Sequence, residues 1–213
     1  IVDPEFTKSL SPKITAISGI DALCQAIESY WSINSTLISR SFSKESIKLI
    51  LHNLLIAVRN PTEETRLSMA RASNLAGKAI NLTKTTAPHA ISYPLTYFFG
   101  IPHGHAVSLT LGEFFIFNSS VDKSNVTTLN RLDDYPKKFS ELLDVLGVAD
   151  PLSAKQKITK LMLDLDLETK FSMFNITTKD IPLILNNVNI ERLNNNPRKT
   201  SREELESILV SLI

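Results

Sequence analysis

Residues 11–33, SPKITAISGIDALCQAIESYWSI, place Ile17, Ile20, Leu23, Ile27 and Trp31 three or four positions apart. That is the period of one helix face, with Pro12 acceptable near the start and Gly19 standing as a point of breakage. The pattern returns over residues 39–59 through Ile47, Ile50, Leu51, Leu54 and Leu55, and Asn60-Pro61 stops it, because proline disfavours the helical conformation of its predecessor. A third helix is expected from Thr62 to about Ala79, where Ala72, Ala76 and Ala79 make a small-residue face that lets another helix come close.

Residues 83–104 read differently. Pro88, Pro94 and Pro102 fix three backbone positions while Gly100 and Gly104 free two, which predicts loops and a short helix. Helices are expected again over 105–117, 139–146, 153–165, 178–189 and 201–213. No sustained apolar/polar alternation, hairpin dipeptide or repeat of fixed period is present, so the fold class is all-α.

The chain has 213 residues, 43% of them hydrophobic, enough for one full core and one domain. Its 23 Lys+Arg against 22 Asp+Glu leave a formal charge of +1, which gives no field to attract nucleic acid or an acidic membrane. Cys24 lies in an apolar helical pattern and has no partner for an internal disulfide, which fits a reducing, cytoplasmic setting. No apolar run approaches the ~20 residues that span a bilayer. The opening IVDPEF has no initiating Met and reads as a strand end, which leads us to expect a piece cut from a longer protein.

The chemistry concentrates in four residues. Asp21 and Gln25 are four apart and share a helix face, with Glu28 a turn further along. His89 and His103 follow in TKTTAPHAISYPLTYFFGIPHGHAV. One carboxylate, one amide oxygen and two imidazoles suit Fe²⁺, Zn²⁺ or Mn²⁺ better than Ca²⁺, and the lack of cysteine ligands argues against a structural zinc site. Taken singly, each has an ordinary structural role: an Asp early in a helix caps it, and a His beside Pro88 or Pro102 packs. His52, on an otherwise apolar helix, is read as structural.

The segments VDPEF, SPKITAISGIDALCQAIESYWS, RLSMARASNLAGKAI, HAISYPLTYFFGIPHGHAV and ERLNNNPRKTSREELESIL resemble the C-terminal part of the iron-containing (group III) alcohol dehydrogenases. The resemblance implies a helical metal-binding domain of the dehydroquinate-synthase-like architecture, spanning residues 1–213, with the N-terminal nucleotide-binding domain absent from this chain. It implies a divalent metal, iron first and zinc second, held by Asp21, His89 and His103, with Gln25 in place of the family's first histidine. Tyr93 replaces another histidine often found in the family, which implies a reshaped substrate pocket. The implied reaction moves a hydride between an alcohol or aldehyde and NAD or NADP, with the metal as Lewis acid. The six glycines are scattered at 19, 77, 100, 104, 112 and 147, so no glycine-rich cofactor loop is present.

For the substrate, Lys78 and Lys84 precede His89, and Thr85 and Thr86 add hydroxyls, a set of donors suited to an anionic group. The run KTTAPHAISYPLT, with Gln25, resembles the phosphonate-metabolising branch of the family, whose substrates are phosphonoacetaldehyde and 2-hydroxyethylphosphonate. Lys84, Thr86, Tyr93 and His105 are therefore the expected substrate-binding residues. A glycerol-dehydrogenase-like or dehydroquinate-synthase-like enzyme and a non-catalytic helical interaction domain are the competing readings. Self-association is the expected partnership beyond the small-molecule substrate.

Overall fold

The structure, a computed structural model, describes residues 2–129 and 132–213. Helix α1 (Pro12–Trp31) starts where Ser11 accepts from the Ile14 N–H and Pro12 occupies the first helical position, which needs no N–H. Thr36 and Ser39 cap each other at the head of α2 (Leu37–Arg59), and Thr62 and Thr65 repeat the device at α3 (Glu63–Thr83). The chain continues through α4 (Ala87–Phe99), α5 (His103–Ser119), α6 (Tyr135–Leu146), α7 (Pro151–Asp164), α8 (Ile181–Asn186), α9 (Ile190–Leu193) and α10 (Arg202–Val210). Among the described residues the only β feature is an isolated bridge between Val126 and Arg198, so the fold is all-α.

Helix α1 runs through the centre. Ile20, Leu23, Cys24, Ala26, Ile27 and Trp31 are fully buried, because a helix apolar on most sides must be covered on most sides. It packs against α2, α3, α5 and α6. Trp31 meets Phe115 of α5 edge-on with ring centroids 5.1 Å apart. Cys24 is free and buried, and burial pushes its thiol pKa well up, so it behaves as an inert core residue. No helix among the described residues is long and apolar enough to cross a membrane.

Three expectations need correction. Gly19 does not break α1; a Cβ there would stand 2.2 Å from Leu54 Cδ1, so the glycine is what lets α2 press against α1. Residues 83–104 are mostly helix, because Pro88 falls in the first turn of α4, where it is tolerated, and Pro94 is accommodated inside it. Pro94 removes the N–H that would bond the Ala90 carbonyl, and that carbonyl accepts instead from the Asn189 N–H at 3.2 Å. Finally, the opening is no strand: Pro4–Thr7 form a 3₁₀ turn capped by Asp3, and Ile1 lies outside the described residues.

Candidate metal centre

Three elements meet at the first turns of α4 and α5. Gly104 makes the meeting close: a Cβ at that position would stand 2.2 Å from the Ile17 carbonyl oxygen and 2.7 Å from Asp21 Cβ. With only a hydrogen there, the start of α5 lies directly on α1 and carries His103 up to Asp21. His89 comes in from α4, within its first turn.

One donor atom from each of Asp21, His89 and His103 lies within 4.8 Å of the others. Asp21 Oδ1 is 3.5 Å from His89 Nε2 and 3.8 Å from His103 Nε2. Donors around a tetrahedral ion at about 2.1 Å stand about 3.4 Å apart, so these separations suit one transition-metal ion. Asp21 Oδ1 and His89 Nε2 are also buried without a hydrogen-bond partner, an expensive arrangement for polar atoms unless something else satisfies them. The residues fit the metal that the sequence implied.

The partner of His89 fixes how it would bind. Glu28, fully buried on α1, accepts from His89 Nδ1 at 2.5 Å, from the Thr86 N–H at 2.7 Å and from the Thr86 hydroxyl at 2.9 Å. A proton held on Nδ1 leaves the Nε2 lone pair facing Asp21, the carboxylate–histidine arrangement that orients metal ligands. Burial alone would lower the His89 pKa, but the Glu28 charge, the Asp21 carboxylate beside Nε2 and the hydrogen bond that Nδ1 donates to Glu28 override it and raise it to about 9. His103 moves the other way: burial lowers its pKa, helped by the charges of His89 and Arg192 and opposed by that of Asp21. Its ring is also the open one, with 42% of the side chain exposed against 5% for His89.

The other expected residues separate. Gln25 donates from Nε2 to Asp21 Oδ2 at 2.8 Å and so steadies the carboxylate's second oxygen. Tyr93 lies beside His103 with ring centroids 5.9 Å apart, on the open side. Thr86 is corrected from substrate donor to structural link, since it is fully buried and its hydroxyl donates to Glu28 while accepting from Trp31 Nε1 at 2.9 Å. His105 is likewise corrected: it is buried, donates from Nε2 to the Glu168 carbonyl at 2.7 Å and packs on Phe174, outside the cluster. Lys78 sits over the Phe42 ring at 5.9 Å and lines a separate cavity of about 770 Å³ between α1 and α3. Lys84 is exposed, and it holds φ 61° and ψ 174°, a backbone region that favours glycine. His52 is exposed on α2, with no place in the cluster. Sequence reading placed Glu28 on the right face without its role and missed Arg192 altogether; only the fold brings α9 alongside this site.

The model of the C-terminal part of the Fe-containing alcohol dehydrogenase family matches residues 15–213. The chain belongs to the iron-containing alcohol dehydrogenase family. It is 30% identical over 210 residues to the phosphonoacetaldehyde reductase of Streptomyces viridochromogenes, covering 98% of this chain and 52% of that protein. It is 31% identical over 215 residues to the sulfoacetaldehyde reductase of Bilophila wadsworthia, covering 98% and 54%. Its fold superposes with a TM-score of 0.86, at 35% identity, on the crystal structure of sulfoacetaldehyde reductase from Bifidobacterium kashiwanohense in complex with NAD⁺, covering 99% of this chain and 53% of that one. This iron-alcohol-dehydrogenase chain thus spans about half the length of the relatives it matches.

Proposed function

We propose that this chain is the C-terminal, metal-holding half of a nicotinamide-dependent alcohol dehydrogenase that acts as a reductase on a two-carbon aldehyde bearing a phosphonate or sulfonate. The net reaction adds a hydride from NAD(P)H to the carbonyl carbon and a proton to its oxygen, giving the alcohol and NAD(P)⁺. The observation that carries the reading is the pair of buried, unpartnered donors Asp21 Oδ1 and His89 Nε2, 3.5 Å apart, with His103 beside them. When bound there, iron or zinc would supply a Lewis acid for the carbonyl.

The chain's own residues do the positioning. Asp21, His89 and His103 are the three donors, Glu28 and Thr86 lock the His89 ring, and Gln25 holds the second oxygen of Asp21, Oδ2. Substrate and the solvent that supplies the proton reach the cluster from the half-exposed His103 side, past Tyr93. In this reading the nicotinamide cofactor is bound mainly by a preceding nucleotide-binding domain of the full-length enzyme. The phosphonate and sulfonate substrates of the named relatives support the choice of an anionic aldehyde.

The test uses the full-length enzyme loaded anaerobically with Fe²⁺ and supplied with NADH or NADPH. Turnover of phosphonoacetaldehyde or sulfoacetaldehyde that disappears on chelation, and in a His89→Ala variant that no longer retains metal, is the expected result. Turnover indifferent to chelation, or none on these aldehydes or on propanal, overturns the proposal.

A further inference from the structure

Arg192 lies on α9, a helix of four residues reached only after the chain has passed through α5, α6, α7 and α8. One backbone bond and one side-chain bond hold it in place. The Asn189 N–H bonds the Ala90 carbonyl that Pro94 leaves free, and Asn195 Nδ2 donates to the Thr85 carbonyl at 3.1 Å. One N–H of the Arg192 guanidinium donates to the Thr85 hydroxyl at 2.9 Å. Thr85 directly precedes Thr86, the residue that bonds Glu28 behind His89.

A guanidinium has five N–H donors, and among the described residues only that one bond and no carboxylate within ion-pair distance engage it. Arg192 is nevertheless half-buried, and its helix is hooked through Asn189 to the carbonyl of Ala90, the residue that follows His89. Other cations shielded from solvent are committed: Arg66 donates to Thr15 and the Leu10 carbonyl, Lys138 to the carbonyls of Trp31 and Ser32, and Arg40 pairs with Asp134. A partly desolvated guanidinium left without an acid has donors to offer a ligand, and its flat fork matches the oxygens of a tetrahedral anion.

We propose that Arg192, set by Thr85, is the specificity-determining residue that binds the anionic head of the substrate, a phosphonate or a sulfonate one carbon away from the carbonyl. This rests on the centre's being the place where the carbonyl is reduced, as proposed above. It explains why a charged group is kept on an element that contributes no ligand to the cluster. Lys84, exposed in the same Thr83–Thr86 connection, would add a second positive charge to the approach.

The experiment compares wild-type, Arg192→Met and Arg192→Lys forms of the full-length, Fe²⁺-loaded enzyme on phosphonoacetaldehyde, sulfoacetaldehyde and propanal. The quantity read is the ratio of kcat/KM for each anionic aldehyde to that for propanal. In Arg192→Met the ratio is expected to fall about a hundredfold, mainly through KM, while Arg192→Lys recovers about tenfold of the loss because it keeps the charge but not the fork. The anion with the larger fall is the natural head group. A ratio within about threefold of wild type, in Met and Lys variants that retain metal, overturns the role of Arg192. If Arg192→Met does not retain metal, Arg192→Lys decides: a ratio at least fivefold lower supports the role and an unchanged ratio overturns it. A wild-type enzyme that turns over propanal as well as either anion overturns the anionic-substrate reading instead. The two failures are therefore distinct.

Discussion

Glu28→Gln tests whether the buried carboxylate behind His89 is what prepares the metal site. The carboxylate accepts from His89 Nδ1, the Thr86 N–H and the Thr86 hydroxyl, all donors. An amide has one acceptor oxygen, so either Thr86 or His89 then faces an N–H with its own N–H. If His89 loses, its ring has no reason to keep the proton on Nδ1, and the lone pair needed at Nε2 is compromised. Loss of such an outer partner lowers metal affinity about 10–100-fold, or about 1.4–2.7 kcal/mol. The assay is competition of the full-length, metal-stripped enzyme against a chromophoric chelator for Zn²⁺.

The same substitution alters the pH dependence of the stripped enzyme. The folded His89 pKa is raised to about 9 from the usual 6.5, a difference worth about 3 kcal/mol in this buried site. That stabilisation is fully present below pH 6.5 and is lost as the pH climbs through about 9, so the stripped wild-type protein should become less stable over that window. In Glu28→Gln the decline should shrink, because the largest raising influence on His89 is gone. A variant that binds Zn²⁺ within twofold of wild type and keeps the full pH-dependent loss would refute the idea that Glu28 holds the ring.

Two further substitutions probe the framework. Gly104→Ala puts a methyl 2.2 Å from the Ile17 backbone oxygen, so α5 must retreat from α1; urea unfolding should show a loss of about 1–3 kcal/mol or more, with weaker metal retention, and an unchanged midpoint would refute the close approach. Lys84→Gly relieves a backbone held at φ 61° and ψ 174°, which should stabilise the protein by about 1 kcal/mol in the same assay, and a destabilised variant would show that the conformation carries no strain.

Much of this fold could be read from local signals. Pro12, Asn60-Pro61 and Thr62 mark ends of α1, α2 and α3 by chemistry confined to a few neighbouring residues, and the structure uses each as such. Of α4 only a short helix among loops was legible; its full length was not, because the Ala90 carbonyl that Pro94 leaves free is satisfied by Asn189, distant in sequence and brought near only by the fold. The centre divides in the same way. Asp21, His89 and His103 stand out by residue type and by resemblance, whereas the roles of Glu28 and Thr86 follow from hydrogen bonds between α1 and the α3–α4 connection. Thr86 and His105 misled because a hydroxyl or imidazole next to a motif says nothing about which way it faces; both turned out to be spent on structural bonds.

The exchange of a helical hydrogen bond at Pro94 for one with Asn189 has an evolutionary consequence. The donors of the cluster come from α1, α4 and α5, while Arg192 rides on a separate four-residue helix hooked to α4 through the backbone. Because that hook involves no side chain of α9, a substitution at Arg192 leaves it in place, so the charge carried beside α4 can change without loosening the attachment.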